Sequence, residues 1–291
     1  MTKEEFIELT STPVLMDGAT GSNLMAAGMP KGVCTEQWIL EHREVLINLQ
    51  KAYVEAGSQI LYAPTFGANA MNLAKYHLED QIAQMNHDLV ALSREAVGQK
   101  AYIAGDISTT GEMMEPFGSM TYDRALEIYK TQINLLVEAG VDLLGVETIF
   151  DIQEACAAVE AANSVCDLPV MCTMTTEADG SFFTGGNIFE AAPMLEAAGA
   201  SAVGLNCSVG PDQLESIIRN VAESVSIPVI AKPNAGMPII NEQGQAVYQM
   251  EAAEFAQHMI TLKNAGARLL GGCCGTTPEF IAQLKHLLSF K

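Results

Sequence analysis

The chain has 291 residues, 49% hydrophobic and 17% charged, and its 35 acidic against 15 basic side chains give a formal charge of −20. So acidic a surface repels phosphate backbones and argues against a nucleic-acid partner. No apolar run approaches the roughly 20 residues of a membrane span, and the stretch from Met1 to Thr10, with Lys3, Glu4, Glu5 and Glu8, is no secretory leader.

In chain order, apolar runs of four to seven residues begin near Pro13, Gln59, Ala101, Val141, Pro169, Ser201, Pro228 and Ala267. They are rich in Val, Ile and Leu, as strands buried on both faces are. Helical spacing fills the intervals, for example at 36–56, 71–97, 122–139 and 252–265. His42, His77, His87, His258 and His286 all fall in predicted helices, so no histidine occupies a strand end. Gly57, Gly140, Gly199 and Gly266 each follow an alanine and precede a strand, where glycine relieves the left-handed end of a helix. Pro169 and Pro228 open strands, where a missing N–H is tolerated. Strand and helix alternating eight times predict an α/β fold, a (β/α)8 TIM barrel forming one domain over residues 1–291. An open doubly wound sheet is the alternative. No low-complexity linker or shift in composition divides the chain.

In such barrels the chemistry sits at the strand C-termini. The residues there are polar or metal-binding: Asp17-Gly18-Ala19-Thr20-Gly21, Pro64-Thr65, Gly105-Asp106, Glu147-Thr148, Thr173-Met174-Thr175, Asn206-Cys207, Lys232-Pro233-Asn234 and Gly271-Gly272-Cys273-Cys274-Gly275. Stability alone does not require this.

Seven cysteines in the expected compartment, the reducing cytoplasm, are better read as ligands, catalytic groups or buried thiols than as disulfides. Cys34, Cys156, Cys166 and Cys172 read as small buried hydrophobes. Cys273 and Cys274 are different, because paired thiols in a glycine turn make poor core material. Two adjacent cysteines rarely bond each other without strain, but both can hold one ion. Cys207 ends the sixth strand, two places from the eighth in a closed barrel, and can supply a third thiolate. Three thiolates with a vacant position describe a zinc site that does chemistry. Such a site binds a further thiol as thiolate, which is the logic of alkyl transfer to sulfur.

The motifs DGATG (17–21), TFGAN (65–69), GDIS (105–108), ET (147–148), GLNCS (204–208), KPNAG (232–236) and GGCCGTTP (271–278) together resemble the homocysteine S-methyltransferase family, from about Pro13 to Leu288. Within it the chain is most similar to the homocysteine-binding domain of cobalamin-dependent methionine synthases. The resemblance implies zinc on Cys207, Cys273 and Cys274, and homocysteine held by Asp17 and the backbone N–H groups of Gly18, Ala19 and Thr20. It implies Glu147 on the substrate's amino group and Asn234 in zinc's open position before the thiol arrives; Asp106, at the end of the third strand, is a further candidate for substrate binding. Backbone donors at a glycine turn suit a carboxylate, and an inward carboxylate suits an ammonium. Thr20, Thr65 and Thr148 are candidates for shape and hydrogen bonding.

Because the chain ends at Lys291, just after the last predicted helix, it is either a fragment of a longer polypeptide or a free-standing protein that docks a separate methyl-corrinoid protein carrying methylcobalamin, and the start at Met1 favours the second. S-methylmethionine, S-adenosylmethionine and betaine are the alternative donors. Betaine calls for an aromatic cage, and the single tryptophan, Trp38, is expected to be buried. Two rivals remain: a metal-dependent lyase or aldolase on the same barrel, and a non-catalytic thiol- or zinc-binding subunit of a larger complex.

Overall fold

The computed structural model describes residues 1–241 and 246–289. Eight parallel strands form the barrel: β1 (Val14–Leu15), β2 (Ile60–Tyr62), β3 (Tyr102–Ile107), β4 (Leu143–Ile149), β5 (Val170–Met174), β6 (Ala202–Asn206), β7 (Val229–Lys232) and β10 (Ala267–Leu270). A short antiparallel ribbon, β8 (Ile239–Ile240) with β9 (Ala246–Val247), lies between β7 and β10. The pairing order is β1-β10-β7-β6-β5-β4-β3-β2. The circle closes through a bridge between Met16 and Ile60, with Gln59 N donating to Leu15 O and Asp17 N to Ile60 O. The sheet is therefore a barrel and not an open doubly wound sheet.

All eight expected strands are present, each beginning within two residues of its apolar run, although β1 and β2 are shorter than the runs that announced them. Gly57, Gly140, Gly199 and Gly266 all have positive φ. Two helices expected to be continuous are broken. The 36–56 segment is two helices, Thr35–Glu41 and Arg43–Ala56, separated at His42. The ring of His42 stacks on Trp38 at 4.1 Å between centroids, and its Nδ1 lies 2.9 Å from Trp38 O. That contact caps the first helix and turns the chain. The 71–97 segment breaks at His77, whose φ of 58° ends the short helix Ala70–Ala74 and its following turn before Ile82–Val97 begins. His42 and His77 are thus turn residues; neither lies inside a helix.

Because side chains alternate along a strand, each strand sends every second residue into the barrel. Val14, Met16, Ile60, Tyr62, Ala104, Leu143, Met171, Ala202, Ile230 and Leu269 fill it as one apolar cluster. Phe6, fully buried on the N-terminal helix Lys3–Leu9, packs into the same cluster and seals the strand N-termini. Two residues further along the same strands the inward positions become Asp106, Thr173 and Lys232, and four residues further they become Glu147 after Leu143 and Asn206 after Ala202. The interior is apolar at its sealed end and polar at the other.

Candidate active site

The polar end opens into a cavity of about 330 Å3 lined by Asp17, Asp106, Glu147, Lys232 and the three cysteines Cys207, Cys273 and Cys274, with Gly18, Ala19, Thr20, Tyr62 and Phe66 among its other walls. This volume lies at the small end of ligand cavities.

The three cysteines come from two places. Cys207 follows β6 with a φ of 52°, and Cys273 and Cys274 follow β10. Their sulfurs all lie within 4.8 Å of one another, with Cys273 Sγ 2.7 Å and Cys274 Sγ 3.4 Å from Cys207 Sγ. The turn after β7 splints the two loops together. Cys207 N donates to Lys232 O, Cys273 N to Pro233 O, and Ala235 N to Cys274 O. The β1 turn is stitched to the same loop, since Gly272 N donates to Asp17 O and Ala19 N to Thr276 Oγ1. Only a glycine fits at position 18, where a Cβ would lie 2.6 Å from Tyr53 Oη.

Among themselves the thiols divide their protons unequally. Hydrogen bonds from Cys207 and Cys273 pull the Cys274 thiol down to about 3. Cys273 is raised well above the ordinary thiol value by its hydrogen bonds to the other two and by burial. For Cys207 the bond from Cys273 lowers the value, but the bond to Cys274 and burial outweigh it and leave it at about 12. The Tyr248 hydroxyl, which sequence reasoning passed over, also hydrogen-bonds to Cys274. Cys34, Cys156 and Cys172 are buried as expected, whereas Cys166 is only half-buried at the end of its helix.

Acids line the same cavity. Asp17 is buried, and both its oxygens are engaged: Oδ1 accepts from Lys232 Nζ at 2.9 Å and Oδ2 from Tyr62 N at 2.8 Å. Burial pushes the Glu147 carboxyl up to about 7, although Lys232, with Nζ 3.8 Å from Glu147 Oε2, pulls it back. Asp106 is raised by burial and then by Glu147, and its Oδ1 is buried without a hydrogen-bond partner. Asn206 ties Glu147 to Thr148, with Nδ2 3.5 Å from Glu147 Oε2 and 2.6 Å from Thr148 Oγ1. Asn234 Oδ1 is likewise buried and unpartnered, and its Nδ2 donates weakly to Ser208 O at 3.4 Å. Thr65 lies outside this group and braces Asp106 through backbone contacts.

Lys232 is the residue that strand-end reasoning named but gave no role. It is 3% exposed, and Tyr62 offers its ring 3.8 Å beneath the ammonium. Burial pulls its pKa down, but Asp17 and then Glu147 more than compensate, so the ammonium stays charged. The signal was available: Lys232 lies two residues past the core residue Ile230 on one strand and must share its side.

Comparisons with known proteins agree with this geometry. The chain is 29% identical to methionine synthase of Mycobacterium tuberculosis (strain ATCC 25618 / H37Rv) over 299 aligned residues. It is also 29% identical to methionine synthase of Mycobacterium leprae (strain TN) over 286. These alignments cover 96% and 92% of this chain but only 25% and 24% of the relatives, so the chain spans about a quarter of their length. The homocysteine methyltransferase MmuM of Escherichia coli has the same fold. Its metallated form superposes with a TM-score of 0.79 at 20% identity, covering 98% of this chain and 99% of that one. Its oxidized form gives 0.78 at 22%, covering 94% and 96%. Residues 14–288 match the family model described as homocysteine S-methyltransferase, and the chain belongs to that family.

Proposed function

We propose that this protein transfers a methyl group to the sulfur of homocysteine, forming methionine, with Cys207, Cys273 and Cys274 holding a zinc ion. The observation that carries this reading is the convergence of three thiols from two distant segments at a cavity that carboxylates also line. Zinc–sulfur bonds of about 2.3 Å set tetrahedral sulfur separations of about 3.8 Å. The Cys207–Cys274 distance of 3.4 Å is close to that, and the Cys207–Cys273 pair at 2.7 Å is closer than a bound ion would set it. Three sulfur donors favour zinc over magnesium or calcium. When bound, zinc supplies the charge that keeps a substrate thiol ionised and nucleophilic at neutral pH.

The rest falls to the chain's own side chains. Glu147 and Asp106 face the cavity as a cation-seeking pair and receive the substrate's ammonium group. The turn of Gly18, Ala19 and Thr20 shapes the wall beside them. Asn234, whose Oδ1 lacks a partner, is the neighbour able to fill a vacant coordination position until the thiol arrives.

For the methyl donor we favour a separate methyl-corrinoid protein carrying methylcobalamin. Exposed apolar side chains stand on segments that follow strand C-termini, among them Phe66, Phe117, Phe150, Phe183 and Ile240, and Met25 and Phe66 line the cavity itself. Such a rim suits a macromolecular partner better than a small polar donor. Trp38 is buried away from the cavity, and among the described residues no tryptophan is placed to cage a quaternary ammonium such as that of betaine. Among the described residues no helix is long and apolar enough to cross a membrane.

The test is a donor panel. Zinc-loaded protein is incubated with homocysteine and methylcobalamin, free or on a corrinoid protein, S-methylmethionine, S-adenosylmethionine or betaine, and methionine is followed. Turnover with methylcobalamin supports the whole reading. Turnover with a small donor alone overturns the corrinoid part. Homocysteine binding without turnover on any donor indicates a non-catalytic thiol-binding unit.

A further inference from the structure

We propose that Tyr248 donates a hydrogen bond to the zinc-bound Cys274 thiolate and so quiets that sulfur, leaving the substrate's sulfur as the nucleophile that the methyl donor meets. The inference rests on the zinc–thiolate reading given above and adds a residue that decides which of the bound sulfurs reacts.

A site of this kind has a selectivity problem. A zinc ion holding three cysteines and a substrate thiol presents several thiolates at once, and a thiolate attacks an electrophilic carbon whatever residue bears it. Cys207, Cys273 and Cys274 all line the cavity into which the methyl group must be delivered. Methylation of Cys274 would form a sulfur–carbon bond, send the electron pair of the broken bond to the donor, and turn an anionic ligand into a neutral thioether. The site would then be disabled. A hydrogen bond to a thiolate stabilises its lone pairs and lowers its reactivity toward carbon.

Tyr248, one residue past the ribbon strand β9, is placed to give such a bond. Its side chain lies against the cysteine loop. At Gly275, whose φ is 84°, a Cβ would lie 2.6 Å from Tyr248 Cβ, so the tyrosine needs glycine beneath it. Two residues on, Met250 N donates to Ala235 O at 3.3 Å, and Ala235 N donates to Cys274 O at 2.9 Å. The segment carrying Tyr248 is thus tied through one residue to the loop carrying Cys274, and its half-buried side chain packs against the main core. From there the hydroxyl hydrogen-bonds to Cys274. A phenol, with an ordinary pKa of about 10, is a donor at neutral pH. The backbone N–H groups of Cys207, Cys273 and Gly275 are occupied by oxygens, those of Lys232, Pro233 and the Ser22 hydroxyl. Tyr248 supplies a donor to sulfur that those amides do not. When Cys207 and Cys273 give up their protons to bind metal, their own thiol donors vanish and the tyrosine hydroxyl remains.

The test is methylation of the zinc-loaded full chain by iodomethane in the absence of homocysteine, with the modified cysteines located by peptide mass spectrometry. Tyr248→Phe keeps the ring beside Gly275 and removes only the hydroxyl. It is expected to speed methylation of Cys274 about tenfold, the loss of one hydrogen bond to a charged sulfur. Cys207 and Cys273 should change by no more than about twofold on the same reasoning. Cobalt(II) in place of zinc gives a second reading. Without the hydrogen bond the sulfur lone pairs rise in energy, and the sulfur-to-cobalt charge-transfer band should move to longer wavelength in the variant. A merely loosened loop would speed all three cysteines together. An equal rise at all three, no rise at Cys274, or an unmoved cobalt band would overturn the assignment. A wild-type chain that takes up no zinc refutes the metal reading on which it stands.

Discussion

At the scale of single residues the site is governed by where protons reside. With Cys274 pulled down and Cys207 and Cys273 pushed up, the metal-free cluster carries one negative charge near neutrality. Metal ligation requires three thiolates. Zinc uptake at pH 7 is therefore expected to release about two protons per ion, measurable by titration in weak buffer with a pH indicator; release of none would contradict the cluster's charge state. Glu147 sets a second dependence. Its carboxyl, raised by burial to about 7, must be ionised to receive an ammonium. Homocysteine affinity should fall as pH drops below about 7, and Glu147→Gln should remove that dependence while weakening binding about tenfold at pH 8. Folding linkage has the opposite sign. A raised carboxyl stabilises the fold fully below its ordinary 4.5, and that contribution is lost as pH rises through about 7. Denaturant melts of the metal-free protein should show the decline, and Glu147→Gln should flatten it. Of these residues the cysteines were legible because a Gly-Gly-Cys-Cys-Gly turn has no use in a core. The role of Lys232 was harder to read, because a lysine beside a proline at a strand's end looks like an ordinary surface residue. Only the alternation from Ile230 reveals that it points inward.

At the scale of elements, the loop after β3 is anchored by a side chain from a different unit. Glu154, buried on helix Ile152–Val165, accepts from Thr109 Oγ1, Thr110 N, Thr110 Oγ1 and Tyr129 Oη at 2.8–3.1 Å. Replacing it by leucine leaves these donors facing an apolar group. Glu154→Leu should lower the unfolding free energy by about 3–5 kcal/mol, read from denaturant midpoints. A loss under about 1 kcal/mol would mean the donors find water. The anchor was not legible in sequence, since an acid in the first turn of a helix is ordinary capping chemistry. The broken helices failed for a related reason. His42 and His77 end helices without glycine or proline, through a ring stack on Trp38 and a left-handed turn that no helix-stop residue announces. Strand positions were easier to read, because burial on both faces leaves an uninterrupted apolar run and glycine marks the turn before it.

At the scale of the whole molecule, stability and chemistry occupy opposite ends of the barrel. The sealed end holds Phe6 and the apolar interior, and a separate large cluster lies between the strands and their helices. The cysteine loops lie at the other end. They are fixed by backbone hydrogen bonds from the β7 turn and from the β1 turn, which need no ion to form. A structural zinc behaves otherwise: its removal unfolds the domain, because the metal's binding energy is the folding energy. Here the buried apolar core alone suffices for a chain of this length. Exhaustive chelation should therefore leave the far-ultraviolet circular dichroism unchanged and lower Tm only by the few degrees that loss of a bound ligand produces. Homocysteine binding should disappear in the same sample and return on adding zinc. Cooperative unfolding on chelation would instead show that the three sulfurs hold the barrel together, and the separation of scaffold from site would be wrong.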